Sequence, residues 1–185
     1  MEFYTLASGS SGNCALVRTN DTLLLIDAGI SCRRIEQALK SLELTLSDLT
    51  AILITHEHSD HTSGLATLVK TCAVPICASR GAAAALPLPA RTFSVGDTLE
   101  FSGCTVHSFS TSHDAADPVG YRIDAPDGSL GILTDTGYVT NAARTVLAGV
   151  DTLLLEANHD PETLQTGPYP YFLKRRILGD EGHLS

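Results

Sequence analysis

The apolar runs of this chain are short, and several stop abruptly at a side chain that can hold a metal or a proton. "TLLLID" closes on Asp27, "AILITHEH" on His56 and His58, "LGILTD" on Asp135 and "TLLLEA" on Glu156. Short apolar runs bounded by turn signals read as buried strands. Polar groups at their ends would gather along one rim of the folded molecule. "CALVRT", "VPICAS", "TLEF", "CTVHSFST" and "VGYRID" add further strands, and the Asp-Gly turn in "APDGS" joins "GYRID" to "LGILT" as a hairpin. Helices intervene at "SCRRIEQALKSLE", where Ser31 can cap and Ile35, Leu39 and Leu42 share a face, at "SGLATLVKTC", "RGAAAAL" and "TNAARTVLAGV", and over Tyr171 to Leu178. With 185 residues, 43% hydrophobic and 18% charged, the chain can bury a sizeable core. Its residues 1–185 show no linker or repeat, so the expectation is a single α+β domain of two sheets packed together with helices outside.

"HEHSDH" follows the strand "AILIT" directly. His56 and His58 stand two apart, so in an extended segment both imidazoles project to one side. Asp60 and His61 lie on a turn leading into a helix that starts near Ser63. These are two pairs of ligands, and imidazole with carboxylate suits zinc, manganese or iron. The competing reading is a polar helix-entry loop with solvated histidines. His113 ends the strand before "SHD" and Asp135 ends "LGILT". Alone, each would serve as a turn former or N-cap; as a set at converging strand ends, they read as further ligands.

In this order, after "LLIDAG", the motifs "HEHSDH", "SHD" and "TDTG" resemble those of the metallo-β-lactamase superfamily of metal-dependent hydrolases. "LASGSSGNCALV", "EANHD" and "YPYFLKRRILGDEGHLS" most resemble its bacterial YycJ/WalJ-type branch, whose members look like nucleases. The resemblance implies an αββα sandwich. It assigns His56, His58 and His113 to one metal and Asp60 and His61 to a second, with Asp135 bridging and Asp60 also catalytic. Two such ions would share a hydroxide and stabilise an in-line phosphoryl displacement. A cysteine in place of Asp135 would have leaned towards antibiotic hydrolysis. Asp27 would orient a metal-bound histidine, or simply form the turn before Gly29. Ser8, Ser10 and Asn13 form a polar turn near the site or a plain tight loop. His183 resembles the late histidine that in related RNA-processing nucleases gives a proton or contacts phosphate; metal ligand is the alternative. A seventh ligand would otherwise lie past Ser185, so the domain reads as incomplete at its C-terminal end.

Substrate contacts are expected from Asn158 and His159, which follow "TLLLEA", and from the only basic cluster, Lys174, Arg175 and Arg176, with Tyr169 and Tyr171 just before it. Aromatic and basic groups together can hold a base and a phosphate, although a solvated helix face has the same composition. Net charge is −9, so a polyanion would have to be gripped by metal ions and a local basic patch. No leader-like or membrane-spanning run is present, which points to the cytoplasm and to no membrane partner. The five scattered cysteines read as buried thiols. The expected function is a hydrolase with two divalent ions, zinc first, that cleaves nucleic acid, DNA before RNA, as a 5′→3′ exonuclease-like enzyme. A small-molecule phosphodiester, thioester or lactone hydrolase and an inactive metal-binding partner module are the alternatives; oligomeric state stays open.

Overall fold

The computed structural model describes residues 1–185 as two mixed sheets face to face. The first sheet runs, in spatial order, β1 (Glu2–Ala7), β2 (Cys14–Arg18), β3 (Leu23–Ile26), β4 (Ala51–Ile54), β5 (Ile76–Ser79) and β6 (Arg91–Phe93). Its first three strands are antiparallel and the rest parallel. The second sheet is built from β7 (Thr98–Phe101), β8 (Cys104–Ser110), β9 (Val119–Ala125), β10 (Gly128–Leu133) and β11 (Thr152–Leu155). Only β10 and β11 are parallel there. The expected Asp-Gly hairpin joins β9 to β10, with Ala125 opposite Gly128.

Strand periodicity sorts the core into layers. Successive side chains of a strand point to opposite faces, so in β3 Leu24 and Ile26 face the second sheet while Leu23 and Leu25 face outward. Between the sheets, Val17, Leu24, Ile26 and Leu53 meet Val106, Tyr121, Ile123 and Ile132. On the outer side of the first sheet, Leu25, Ile52 and Ile54 pack against α1 (Cys32–Ser41), α3 (Leu65–Thr71) and α4 (Arg80–Ala85) through Ile35, Leu39, Leu68 and Ala82. Outside the second sheet, Phe109 and Leu133 receive Ala143 of α5 (Asn141–Leu147). This is the expected α+β sandwich. Ser31 caps α1 by accepting from the Arg34 amide at 3.4 Å, as its position suggests. All five cysteines are free, four of them buried. No helix is long and apolar enough to cross a membrane.

Some elements escaped the pattern. β1 is a half-exposed edge strand without clean alternation, and β6 is three residues opening on an arginine. A single turn, α2 (Ser59–Thr62), begins inside the "HEHSDH" motif, earlier than Ser63. Helix α6 (Pro161–Thr166) carried a legible start signal, Asp160 as N-cap with Pro161 first in the helix. It is followed by α7 (Tyr171–Ile177).

Three loops at one rim are sewn together by backbone. The Asn13 amide donates to the Asp60 carbonyl at 2.7 Å, Gly29 to Asn13 at 2.8 Å, Ala28 to His61 at 2.8 Å and Gly64 to Ala28 at 2.8 Å. The approach is so close that a Cβ on Gly29 would lie 1.6 Å from the Asp60 carbonyl oxygen. Gly29→Ala must therefore push the "HEHSDH" loop away. The expected cost is about 1–3 kcal/mol, read as a lowered midpoint in chemical denaturation. A variant as stable as the parent would show that this contact does not hold the loop.

Candidate metal centre

Asp27 and most of the donor residues sit where a strand of the sandwich runs out, whereas His61 lies in α2 and His183 follows α7. Asp27 follows β3, His56 and His58 follow β4, His113 follows β8 and Asp135 follows β10. Asp27 and Asp135 take positive φ values, 60° and 51°, a left-handed backbone that aspartate tolerates at a cost. In both, a buried strand ends in a turn that sends the carboxylate into the cluster.

Asp27 is the anchor. Its Oδ1 accepts from the Thr55 amide at 2.8 Å, and its Oδ2 accepts from the Thr55 hydroxyl at 2.9 Å and from His61 Nδ1 at 2.8 Å. These bonds assign protons. His61 carries a hydrogen on Nδ1, so Nε2 is the nitrogen that faces Asp135 Oδ2 at 3.1 Å, where a proton or a metal ion can sit between them. Thr55 has given its own proton to Asp27, so its oxygen accepts from His56 Nδ1 at 3.0 Å and leaves His56 Nε2 bare. His113 Nδ1 donates to the Gly182 carbonyl at 3.2 Å, which bares its Nε2 as well.

The bared nitrogens converge. His56 Nε2 lies 3.1 Å and His113 Nε2 3.3 Å from His58 Nδ1. Three groups of donors each lie within 4.8 Å of one another: His56, His58 and His113; His56, His61 and Asp135; His113, Asp135 and His183. Clustered buried imidazoles with one carboxylate are a donor set that fits a divalent ion in borderline N/O ligation. The electrostatics agree. Burial foremost, then the neighbouring His61, pushes His56 down to about 2, and burial lowers His113, so both are neutral ligands. Burial opposes charge on His61, but Asp27 and Asp135 outweigh it and push it up to about 10, so the Nε2 that faces Asp135 favours a positive partner, a proton or a metal ion in its place. For Asp135, burial is likewise outweighed by His61, and its carboxyl is held below the usual range.

Asp60 stands at the margin, with Oδ2 3.7 Å from His61 Nε2 and accepting from Asn13 Nδ2 at 3.4 Å, outside the three groups. His183 is drawn fully in. Its Nδ1 lies 3.0 Å from Glu156 Oε2 and 3.3 Å from Asp135 Oδ1, and Glu156 raises its pKa against the effect of burial. Glu156, read in sequence only as a strand end, also accepts from the Thr136 amide at 2.6 Å and the Leu184 amide at 3.3 Å. It thereby ties the Asp135 turn to the His183 segment. Glu57 accepts from the Ala116 amide at 2.9 Å and steadies the loop after His113. Thr55 had no signal beyond its place before His56.

Two adjoining hollows open on the cluster. One of about 350 Å³ is lined by Ser8, Ser10, Asn13, Asp60, Asp135 and Asn158; the other, about 760 Å³, by His58, His113, His159, Tyr169, Arg176 and His183 among others. Ser8, Asn13, Asn158 and His159 thus line the hollows that open on the cluster. Lys174 and Arg175, expected as substrate contacts, do not line either hollow. On α7 the residues facing the cleft are Leu173, Arg176 and Ile177, one helical stripe, and 174 and 175 fall on other faces. Lys174 instead binds the carbonyls of Gln165 and Gly167, both at 2.7 Å. Arg176 is the cation of the cleft, paired with Asp114 at 2.6 and 3.0 Å. A larger hollow of about 900 Å³ lies on the outer face of the second sheet beside α5, around His107 and Arg122, away from every donor.

The profile of the family described as "Beta-lactamase superfamily domain" matches residues 22–185. The chain belongs to the beta-lactamase superfamily. Within this superfamily of metal-dependent hydrolases it falls in the YycJ/WalJ-type branch. It is 41% identical to exodeoxyribonuclease YycJ of Bacillus anthracis over 192 residues, covering all of this chain and 73% of that protein. Exodeoxyribonuclease WalJ of Streptococcus pneumoniae serotype 2 is 40% identical over 194 residues, with 100% and 72% covered. Zinc-bound PqqB from Methylobacterium extorquens shares the superfamily fold at 21% identity and a TM-score of 0.67, over 85% of this chain and 64% of that one.

The tautomer argument has a direct test. Asp27→Asn replaces an obligate acceptor for His61 Nδ1–H with an amide and should weaken zinc binding by about 10–100-fold, measured by competition with a chromophoric chelator. Unchanged affinity would remove Asp27 from the account.

Proposed function

We propose that this chain is a dinuclear metal-dependent phosphodiesterase that degrades DNA, working 5′→3′ as an exonuclease in the cytoplasm. The observation that carries it is Asp135, the one carboxylate common to two donor groups. A shared carboxylate suits a pair of ions, and the donor chemistry suits zinc first, with manganese or iron as substitutes. His56, His58 and His113 would hold one ion; His61 and Asp60 would serve the other, with Asp135 between. Ions bound there supply Lewis acidity and a water acidified to near neutrality, which is the chemistry phosphodiester hydrolysis needs.

The protein's own groups would do the rest. Asp27 and Thr55 keep His61 and His56 in the tautomers that point bare nitrogens inward. Asp60, half-exposed at the mouth of both hollows, would steer the attacking water. His183, held by Glu156 and charged more readily than a free histidine, would give a proton to the leaving oxygen or contact the phosphate; ligation by His183 is the alternative reading of the same place. Ser8, Asn13, Asn158 and His159 would hydrogen-bond the scissile phosphate and its sugar. The exodeoxyribonuclease names of the 40–41% identical relatives support DNA over RNA.

Zinc- or manganese-loaded protein should release nucleotides from the 5′ end of labelled DNA, and chelation should stop it. His58→Ala and Asp135→Ala, each removing a ligand, should lose on the order of 100-fold or more, beyond what loss of a ligand-orienting group costs. Inertness of the loaded protein towards DNA and towards bis(p-nitrophenyl) phosphate alike would overturn the proposal.

A further inference from the structure

Asn13 is tied to the donor cluster by its side chain as well as its backbone. Its Nδ2 stands 3.0 Å from His61 Nε2 and 3.4 Å from Asp60 Oδ2, and its Oδ1 accepts from the Gly9 amide at 2.9 Å. These contacts fix which way the side-chain amide points. A backbone N–H can only donate, so Gly9 requires the oxygen; a carboxylate accepts, so Asp60 requires the NH2. The Gly9 carbonyl, 3.2 Å from Nδ2, requires the same end. Turning the amide over in place would set donor against donor at the Gly9 N–H, and oxygen against oxygen at Asp60 and the Gly9 carbonyl.

His61 and Asp60 serve the second ion in the two-ion reading, and the NH2 stands against both. His61 Nε2 and Asp60 Oδ2 are 3.7 Å apart. With zinc–ligand bonds of about 2.1 Å, any point bonded to both lies within roughly 3.6 Å of Asn13 Nδ2. That is inside the ion's own shell of ligands or pressed against it. An amide NH2 has no lone pair to give, and its hydrogens carry partial positive charge. It opposes a cation at this spot whether His61 Nε2 holds a proton or is bare. No side-chain amide is bonded to His56, His58 or His113, the donors of the first ion.

The loop bonded to this side chain has one pinned end and one free end. A Cβ on Gly12 would lie 2.4 Å from the Gly29 carbonyl oxygen, so the chain has no room to shift there. Gly9 takes a φ of 128° and has nothing within 4 Å of a Cβ position, so the tip has space around it. Because turning over in place is barred, Asn13 can withdraw its NH2 only by letting go of Gly9 or by carrying that tip with it.

Resting on the two-ion reading above, we infer that Asn13 holds the second site against its ion: the NH2 lies against His61 and Asp60 and must swing out, disturbing its bond to Gly9, before an ion takes both. The two ions are therefore unequal. The first, on His56, His58 and His113, loads with the Gly9 loop in place, whereas the second displaces the Asn13 bonds. Asn13 lines the hollow of about 350 Å³, so the displaced amide stays within reach of a substrate oxygen.

The test reads metal affinity and loop protection, not turnover. Competition with a chromophoric chelator gives both zinc affinities of wild type, Asn13→Ala and Asn13→Asp. Asn13→Ala should tighten the second ion by about 2–10-fold, the scale on which a net hydrogen bond contributes, and leave the first unchanged. Asn13→Asp should tighten it further, since a carboxylate keeps the Gly9 amide bonded and offers the ion an oxygen. An unchanged first-ion affinity certifies the site of each variant. Hydrogen exchange on wild type decides the matter if a variant does not fold: the Gly9 amide should exchange at one rate with zero and one equivalent of zinc and faster with two. A second ion bound as weakly or more weakly by Asn13→Ala, no more tightly by Asn13→Asp, or without effect on Gly9 exchange would overturn the inference while leaving the two-ion reading intact. A single ion in wild type and in both variants alike would overturn that reading and this inference together.

Discussion

The bond from His61 Nδ1 to Asp27 is the interaction on which the site depends. It lies across the junction of β3 and β4, two parallel central strands whose ends are bared where the chain turns away. By accepting the Thr55 amide and hydroxyl as well, Asp27 sets the proton positions of both His61 and His56 through one intervening oxygen. One carboxylate thereby decides which faces of two imidazoles point at Asp135. Its left-handed backbone is the local cost of that placement.

Around this anchor the sandwich does positioning and little else. The inner faces of both sheets are apolar, so strand ends are the places where polar side chains can stand without being buried unpaired. The rim where β3, β4, β8 and β10 end is then the natural place for donors to meet. Glu57, Glu156 and Arg176 act one step further out. Each ties a donor-bearing loop to its neighbour, so the loops of the two sheets are held as one surface.

Most strands, and most of the residues that the fold brings together at the rim, were legible because both are written locally, strands as short apolar runs and the rim residues as polar side chains at or near their ends. β1 and α6 were not, the first because an edge strand needs no alternation, the second because a six-residue helix shows only its cap. Side-chain direction on α7 was also hidden. The basic cluster reads as a unit in sequence, yet a helix turns each residue by about 100°, and only Arg176 of the three faces the cleft. Glu156 escaped because an acid at a strand end looks the same whether it binds a metal, a base or a backbone amide. The pairing of His183 with Glu156 and Asp135 joins residues far apart in the chain, which no local pattern encodes.

The central claim is that two ions share Asp135. Anomalous diffraction at the zinc edge from zinc-soaked crystals measures it directly. The account predicts two peaks, one on each side of the Asp135 carboxylate, the first within reach of His56, His58 and His113 and the second within reach of His61. A single peak, or peaks that leave Asp135 unliganded, would contradict it.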